Sequence, residues 1–307
     1  MKRRLLDILA CPNDLHFPLE LTVKVEREAP GHPFTCETFC AQSGVEVEVS
    51  PAYPGACGDC ATTEVVEGEL FCPACQSVFP ILDGIPRLLA DQSLADNAIG
   101  RDKAKEMRTR DEQADEYDEL KGLKLLSKLE VPKIVDLLAA GRGDIVVELG
   151  AGTGRLTQVI AGSVSELAAV DFSASSLKRS RAKFDNVNIH WIQGDVNHLP
   201  LRDRVCDHAF SCQVFEHLPG TAARNSAVDE AARIIKGSGS FVISVYRDSR
   251  FWRFLAAKEG YHPGGIYYYR LSTDEFRNML GRQFAIEEHL PNVGLYLQVA
   301  KCVKKPQ

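Results

Sequence analysis

The sequence predicts an α/β protein, in which a parallel sheet carries helices on both faces and follows a small second domain. An apolar segment at residues 145–149 runs directly into a glycine-rich turn. Further apolar segments then alternate with helical ones, which is the pattern of a parallel sheet. Seven of the ten cysteines lie within the first 75 residues. We therefore expect a cysteine-rich domain at 1–90, a linker with a helix at 91–122 and the sheet domain at 123–307.

The glycine-rich turn, Gly150–Gly154, has the spacing G-x-G-x-G, and Glu148 stands two residues before it. Glycine lets the backbone turn sharply and lets a ligand approach with no Cβ in the way. Dinucleotide sites use G-x-G-x-x-G, whereas Arg155 stands here at the position of the third glycine. The Glu148 carboxylate would repel a pyrophosphate and suits a ligand with an α-ammonium group. The turn therefore favours S-adenosylmethionine, and a tight turn without a ligand is the alternative.

Acidic residues end the next two predicted strands of the sheet domain. Asp171 ends the apolar run that begins at Leu167, and Asp195 follows the run 189–194. An acid after the second strand of such a sheet commonly meets the ribose hydroxyls of a nucleotide. Ligands bind outside the carboxyl ends of parallel strands, where both acids and Glu148 fall. The three carboxylates therefore predict one nucleotide-binding edge.

Residues 110–303 resemble a class I S-adenosylmethionine-dependent methyltransferase, of the group that includes the ubiquinone/menaquinone methyltransferases. Five motifs carry the resemblance: the ELGAGTGR turn, the Val-Asp end of strand two, the Gly-Asp-Val end of strand three, the Glu-His-Leu after strand four and the Lys-Gly-x-Gly turn before strand five. The resemblance implies a Rossmann-like sheet of seven strands with S-adenosylmethionine as cofactor. The residues expected to bind this cofactor are Tyr117, Glu148, Gly150, Ala151, Gly152, Gly154, Asp171, Phe172, Asp195, Val196 and Gln213.

Two segments outside the strands complete the expected site. Residues 110–118 look like the short helix that closes over the cofactor in this group. Tyr117 is the candidate contact from this helix to the cofactor carboxylate, and a partly exposed helix tyrosine is the alternative. Residues 246–270 are rich in aromatic residues and glycine, and we expect them to form the lid and pocket for the acceptor. Simple packing of these aromatic rings against the domain is the alternative.

His217 is the candidate catalytic base, because it follows the fourth strand directly and so falls at the ligand edge. An acceptor oxygen or nitrogen that carries a proton loses it to a base when it attacks the methyl group. Weaker candidates for this base are Glu216, His262 and Tyr268. In the alternative, His217 orients its loop by hydrogen bonding and takes no proton.

Cys57-x-x-Cys60 and Cys72-x-x-Cys75 are the candidate metal ligands of the N-terminal domain. Each pair presents two thiolates from a tight turn, and four thiolates form a closed tetrahedral zinc site. A closed site has no position for water, so we expect structural Zn²⁺ that stabilises a small domain. We expect free thiols at Cys11, Cys36 and Cys40, and a second metal site that includes His16 or His32 is the alternative for these three. We expect small core residues at Cys206, Cys212 and Cys302.

The N-terminal domain also resembles a zinc-ribbon activator subunit, through the segments 5–12, 67–75 and 79–86. In eukaryotes and archaea that small protein partners several methyltransferases that act on RNA and protein, and here it would be fused to one. The family usually has a second cysteine three residues after the first, whereas this chain has Asp14. We therefore assign the zinc to the two downstream pairs, one of them within an insertion at roughly residues 22–66.

The composition of the chain limits the kinds of partner and substrate that we expect. The net charge of −6 and the pI of about 5.8 argue against a large nucleic-acid footprint, which needs clustered Lys and Arg. No apolar run approaches the roughly 20 residues that span a bilayer, and Asp7 interrupts the short apolar start, so we expect a cytoplasmic protein. A small-molecule acceptor, for example in specialised metabolism, is the preferred substrate. The alternative is an RNA or protein substrate that the zinc domain binds. A third hypothesis is a non-catalytic scaffold protein. The sequence leaves the oligomeric state open.

Overall fold

The computed structural model describes residues 1–31, 39–41, 45–46, 57–94, 98–113, 121–184, 188–249, 257–262 and 264–306. The strands are β1 Glu20–Glu28, β2 Phe39–Cys40, β3 Val45–Glu46, β4 Thr63–Phe71, β5 Val78–Leu82, β6 Ile85–Leu88, β7 Ile145–Leu149, β8 Glu166–Asp171, β9 Ile189–Gly194, β10 Cys206–Cys212, β11 Ile235–Tyr246, β12 Glu259–Tyr261, β13 Tyr267–Tyr269, β14 Phe284–Val293 and β15 Leu297–Lys304. The helices are α1 Cys57–Thr62, α2 Ala98–Gln113, α3 Lys121–Leu138, α4 Thr157–Ala161, α5 Ala174–Lys183, α6 Gly220–Ile234 and α7 Thr273–Leu280.

Eleven of these strands form one sheet in the order β1-β4-β5-β6-β9-β8-β7-β10-β11-β15-β14. The seven strands from β9 to β14 are the predicted sheet, and the α/β fold class is confirmed. Neighbouring strands from β9 through β11 run parallel, whereas β15 runs antiparallel to both β11 and β14. All five residues of β7 are buried, as expected for a parallel strand that is covered on both faces.

The N-terminal strands extend this same sheet. Strand β6 pairs in parallel with β9, with Arg87 opposite Gln193 and Leu88 opposite Gly194. Apolar side chains from both parts of the chain, such as Leu70 and Leu149, belong to one buried cluster. The cysteine-rich part and the main sheet are therefore packed as neighbours, and the boundaries drawn at residues 90 and 122 stay predictions.

A buried ion group joins the two parts at the start of β8. The guanidinium of Arg4 donates to both carboxylate oxygens of Glu166, at 2.9–3.2 Å, and to Asp7 at 2.7 Å. His190 adds a contact of 3.4 Å to Glu166. Arg4 is 3% exposed and Glu166 is 1% exposed, so these charges are satisfied by each other and not by water.

Local signals in the sequence explain several element boundaries. Ser272 caps α7, with its hydroxyl accepting from the Glu275 amide and its own amide donating to the Glu275 carboxylate. Helix α3 continues through Pro132. Helix α2 begins at Ala98, twelve residues before the segment predicted to cover the cofactor. Among the residues that the structure describes, we find no helix that combines the length and the apolar character needed for a membrane span.

Candidate functional site

The three glycines of the turn after β7 serve two different purposes. Gly150, Gly152 and Gly154 have φ angles of +83°, +53° and +85°, a left-handed region that favours glycine. A Cβ on Gly150 would lie 2.2 Å from the Val214 side chain, and a Cβ on Gly154 would lie 2.0 Å from the Ser180 hydroxyl. A Cβ on Gly152 would meet no atom within 4 Å. Gly150 and Gly154 therefore allow close packing, whereas Gly152 leaves open space for a ligand.

One cavity lies at the carboxyl ends of β7, β8, β9 and β10 and collects most of the predicted cofactor residues. Gly154 lies outside its lining because it packs against Ser180, so the structure gives this glycine a packing position. Tyr117 lies outside the described residues. The predicted residues that line the cavity are Glu148, Gly150, Ala151, Gly152, Asp171, Phe172, Asp195, Val196, Gln213 and His217.

Asp171 and Asp195 are held by hydrogen bonds on the wall of this cavity. The Asp171 carboxylate accepts from the backbone amides of Gly152, at 2.7 Å, and Ser173, at 2.8 Å. Burial raises the pKa of Asp171, and these two amides partly oppose the shift. The Asp195 carboxylate accepts from the Asn197 amide at 2.9 Å and from the Lys103 ammonium at 2.5 Å. Both acids are thus fixed before any ligand enters.

Glu148 is 3% exposed and faces the cavity from the end of β7. Its carboxyl group accepts from the Thr157 hydroxyl at 2.5 Å. Burial raises the pKa of Glu148 to about 8, against the opposing effects of Thr157 and Arg155. A cationic group placed beside Glu148 would stabilise its charged form, so this position fits the ammonium group of a methionine moiety.

Gln213 lines the cavity with an unusual backbone, and its side chain points to a buried acid. Its φ is +60°, and its amide group donates to Glu130 at 2.7 Å. Glu130 is fully buried and also accepts from Arg155, at 2.8 Å, and from the Ser244 hydroxyl. Glu130 and Arg155 were not predicted as site residues, because nothing local in the sequence links α3 to the glycine turn.

Helix α2 covers the cavity and adds Lys103, Glu106 and Arg110 to its lining. Lys103 reaches Asp195 as described, and at the other end Asp111 accepts from the Ser173 hydroxyl at 2.5 Å. Residues 110–113 of the predicted covering segment belong to α2, and residues 114–118 lie outside the described residues, so the covering role of that segment stays a prediction. Lys103 and Glu106 were missed because this polar helix carries no motif.

A second cavity of about 220 Å³ adjoins the first under the β12–β13 hairpin. Lys103, Glu106 and His217 line both cavities. Tyr261 and Tyr267 of the hairpin also line the second one, so the aromatic segment predicted as lid and pocket forms part of its wall. The remaining lining residues are Lys105, Pro219, Gly220, Glu259 and Gly265.

His217 stands between the two cavities in the form that a base requires. Its Nδ1 lies 2.7 Å from the backbone carbonyl oxygen of Tyr267. A carbonyl only accepts hydrogen bonds, so Nδ1 carries the proton and Nε2 keeps its lone pair. Burial lowers the pKa of His217 well below its usual value, and the positive charge of Arg110 adds to this shift. The imidazole is therefore neutral at pH 7.

The weaker base candidates do not reach either cavity. Glu216 is fully buried, and burial raises its pKa to about 8. His262 packs between Tyr246 and Tyr268, with ring centroids 5.9 and 4.6 Å away. Within the described residues, the linings of both cavities include none of Glu216, His262 and Tyr268.

A cluster of possible metal ligands lies in the N-terminal domain. The ligand atoms of Cys11, Asp14, Cys72 and Cys75 all lie within 4.8 Å of one another. The sulfur atoms of Cys11 and Cys75 are 3.5 Å apart, close to the roughly 3.8 Å that two Zn–S bonds of 2.3 Å give in a tetrahedron. Three thiolates and one carboxylate are ordinary zinc ligands, so these four residues fit the ion.

Two backbone turns of the same design present these ligands. In one turn the Cys72 amide donates to the Ser77 carbonyl and the Gln76 amide donates to the Cys72 carbonyl. In the other turn, the Cys11 amide donates to the His16 carbonyl and the Leu15 amide donates to the Cys11 carbonyl. Gln76 and Leu15 have φ angles of +64° and +61°. Asp14 thus occupies, in the turn that begins at Cys11, the same position that Cys75 occupies in the turn that begins at Cys72.

The predicted ligand set of Cys57, Cys60, Cys72 and Cys75 stays a prediction. It shares Cys72 and Cys75 with the cluster, whose other members are Cys11 and Asp14. Cys57 and Cys60 fall in helix α1. Cys60 is buried, and the side chain of Cys57 lies outside the described residues.

Comparison with protein families matches both parts of the chain. Residues 147–243 match a methyltransferase domain, and residues 2–84 match the Trm112p-like proteins. The chain combines a methyltransferase domain with a Trm112p-like domain. Both resemblances drawn from the sequence are therefore confirmed. The predicted cofactor, S-adenosylmethionine, and the predicted structural zinc are those of these two domain families.

Individual relatives match part of the chain with low identity. A malonyl-[acyl-carrier protein] O-methyltransferase of Marinomonas sp. is 27% identical over 44% of this chain and 52% of its own length. A phosphoethanolamine N-methyltransferase of Triticum aestivum is 28% identical over 58% of this chain and 34% of its own length. The chain thus spans about half of the first relative and a third of the second.

A solved structure supports the mixed α/β fold of this chain. A chain from the complex between the Trm112 methyltransferase activator of Haloferax volcanii and a methyltransferase aligns with a TM-score of 0.54. The alignment covers 64% of this chain and 98% of that chain at 19% sequence identity. At this identity the match describes the fold, which is the mixed sheet reported above.

Proposed function

We propose that this protein transfers a methyl group from S-adenosylmethionine to an oxygen or nitrogen of a small-molecule acceptor. The observation that carries the proposal is the pair of adjoining cavities, since Lys103, Glu106 and His217 line both. The first cavity has the acids and the glycine turn for the cofactor. The second cavity, of about 220 Å³, would hold the acceptor beside His217.

The first cavity supplies a contact for each part of the cofactor. Glu148 would hold the ammonium group, and Asp171 would accept from the ribose hydroxyls. Asp195 and Val196 would meet the adenine edge, with the Phe172 ring against the adenine. When bound, the cofactor supplies a methyl group on a positively charged sulfur, which takes the electron pair of the broken C–S bond.

His217 is the proposed base of the transfer. His217 lines both cavities, and its Nε2 keeps a lone pair because Nδ1 donates to the Tyr267 carbonyl. An acceptor hydroxyl or amine in the second cavity would give its proton to this nitrogen as its own bond to the methyl carbon forms. Positioning of the two reactants in adjoining cavities supplies the rest of the catalysis.

The zinc site is proposed to be structural and to comprise Cys11, Asp14, Cys72 and Cys75. Four ligands close the coordination shell of the ion, so no position remains for a reacting water. The Trm112p-like match favours a second candidate function, in which this domain grips an RNA or protein substrate. The two relatives named above cover both O- and N-methyl transfer and do not choose the acceptor atom.

The test uses radiolabelled S-adenosylmethionine with a cell extract that has been separated into molecules below and above about 1 kDa. We expect the wild-type protein to label the small-molecule fraction, and His217→Asn to lower the rate at least about 100-fold, as is typical for loss of a general base. The affinity of His217→Asn for S-adenosylhomocysteine should stay close to that of the wild type. Label confined to RNA or protein would replace the proposal with the second candidate function.

A further inference from the structure

We infer that the acceptor carries an anionic group, a carboxylate or a phosphate, which Lys105 binds in the second cavity. The inference rests on the proposed function and names the class of acceptor that this cavity selects. The methyl-accepting atom faces His217, and the anionic group is a separate part of the same molecule. The argument depends on the charged side chains of the cavity and on which of them already have partners.

Three basic side chains of α2 lie around the cavities, and two of them are engaged. Lys103 pairs with Asp195 at 2.5 Å and contacts Asn197 at 2.9 Å. Arg110 lies 3.5 Å from the carboxylate of Glu106. Lys105 is exposed and lines the second cavity, and its ammonium group has no hydrogen bond or ion pair within the part of the chain that the structure describes. Lys105 is therefore the cation available to a ligand.

The carboxylates of the second cavity are also accounted for. Glu106 faces Arg110, and burial raises the pKa of Glu106. Glu259 accepts a hydrogen bond of 2.9 Å from the Tyr267 hydroxyl. Neither carboxylate lies within 4 Å of the Lys105 ammonium. A neutral hydroxyl leaves Glu259 charged, whereas Arg110 neutralises Glu106. An anionic group of the acceptor would be the ion partner of Lys105, which has none among the described residues.

The hairpin turn makes room for Lys105. Its Nζ lies 2.8 Å from the point that a Cβ on Gly265 would occupy, so the ammonium group lies directly against this turn. Gly264 and Gly265 have φ angles of +90° and +82°, and the turn is tied to α2 through a 3.2 Å hydrogen bond from the Thr109 hydroxyl to the Gly264 carbonyl. The ammonium group is thus placed against the cavity wall formed by the hairpin.

The experiment divides the small molecules of the extract by anion exchange at pH 8 before the methyl-transfer assay. We expect the retained, anionic fraction to support labelling and the unretained fraction to support little. Alkaline phosphatase treatment of the retained fraction separates the two sources of charge, since loss of labelling indicates a phosphate and its persistence indicates a carboxylate.

Variants of Lys105 test whether this residue causes the preference for anionic acceptors. Lys105→Met should raise the amount of retained fraction needed for half-maximal labelling tenfold or more, with the maximal rate changed less than about twofold, because binding is weakened equally in the ground state and the transition state. Lys105→Arg should keep most of the affinity. Lys128→Met is the matched control, because Lys128 is exposed on α3 and lines neither cavity.

Two results would overturn the inference and leave the proposed function standing: labelling by the unretained fraction at an equal or higher level, or an unchanged half-maximal amount for Lys105→Met. Labelling of neither fraction by a protein that binds S-adenosylhomocysteine would instead overturn the proposed function, and the acceptor class with it. Binding of S-adenosylhomocysteine to Lys105→Met serves as the folding check, since Lys105 does not line the first cavity.

Discussion

Glu148 shows how one buried residue can make ligand binding depend on pH. Its pKa is raised to about 8 by burial, so below pH 8 the carboxyl group holds a proton. A bound ammonium group favours the ionised form, and binding must then release that proton. The affinity for an ammonium-bearing ligand should therefore fall as the pH decreases below 8.

We expect the affinity for S-adenosylhomocysteine to drop by up to tenfold for each pH unit between 8 and 6, because one proton is released per ligand bound. Titration calorimetry across this range measures the slope. Glu148→Gln should bind more weakly and without this slope. An equal slope in Glu148→Gln would assign the proton to another group, such as Asp171, whose pKa is also raised.

Asp14 is the second residue with a decisive test, because it replaces a thiolate in the proposed zinc site. Asp14→Ala should weaken zinc binding by more than about tenfold, since even the loss of a residue that only supports a ligand costs that much. Asp14→Cys should keep the ion. Zinc content measured with a chromogenic chelator distinguishes these cases, and Cys60→Ser is the control. Release of zinc by Cys60→Ser, with none by Asp14→Ala, would restore the ligand set predicted from the sequence.

At the scale of elements, helix α2 closes the cofactor cavity by contacts at its two ends. Lys103 is bound to Asp195 near one end, and Asp111 is bound to Ser173 and to the Ser175 amide near the other. The side chains of Lys103 and Asp195 are 12% and 4% exposed, so this ion pair is little screened by water. Opening of the helix must break it.

Lys103→Met should therefore speed the dissociation of S-adenosylhomocysteine about tenfold or more, because a hydrogen bond to a charged group contributes about 1.5–3 kcal/mol. Stopped-flow displacement gives this rate, with Lys128→Met as the matched surface variant. If Lys103 merely competes with the adenine for Asp195, the variant would instead bind more tightly with an unchanged dissociation rate, which would refute the closing role.

The elements that the sequence predicted well are those with local signals. The strand and the turn through Gly150 are set by neighbouring residues, and both were predicted. The zinc turn at Cys11 was missed because it is defined by backbone hydrogen bonds and by the positive φ of Leu15, while Asp14 breaks the expected cysteine spacing. Lys103 and Lys105 were missed because their positions in the cavities result from the packing of α2.

At the scale of the whole molecule, the two domains share a sheet and a buried ion group. The parallel pairing of β6 with β9 comprises two residue pairs, and no sequence pattern indicated it. Arg4 and Glu166, which are far apart in the chain, connect the N-terminal segment with the start of β8. A charge buried between domains is costly when its partner is removed. The stability of both domains should therefore depend on this contact.

Arg4→Met should lower the free energy of unfolding by about 3–5 kcal/mol, because it leaves the Glu166 and Asp7 carboxylates buried without their cation. Arg3→Met is the matched control: its partner Glu26 is 46% exposed, and such surface pairs contribute less than about 1 kcal/mol. Urea unfolding followed by circular dichroism, and in parallel by release of zinc, measures both changes. Because the domains share one sheet, the two signals should shift together in Arg4→Met. A shift in zinc release with an unchanged circular dichroism midpoint would show that the N-terminal domain unfolds independently of the methyltransferase domain.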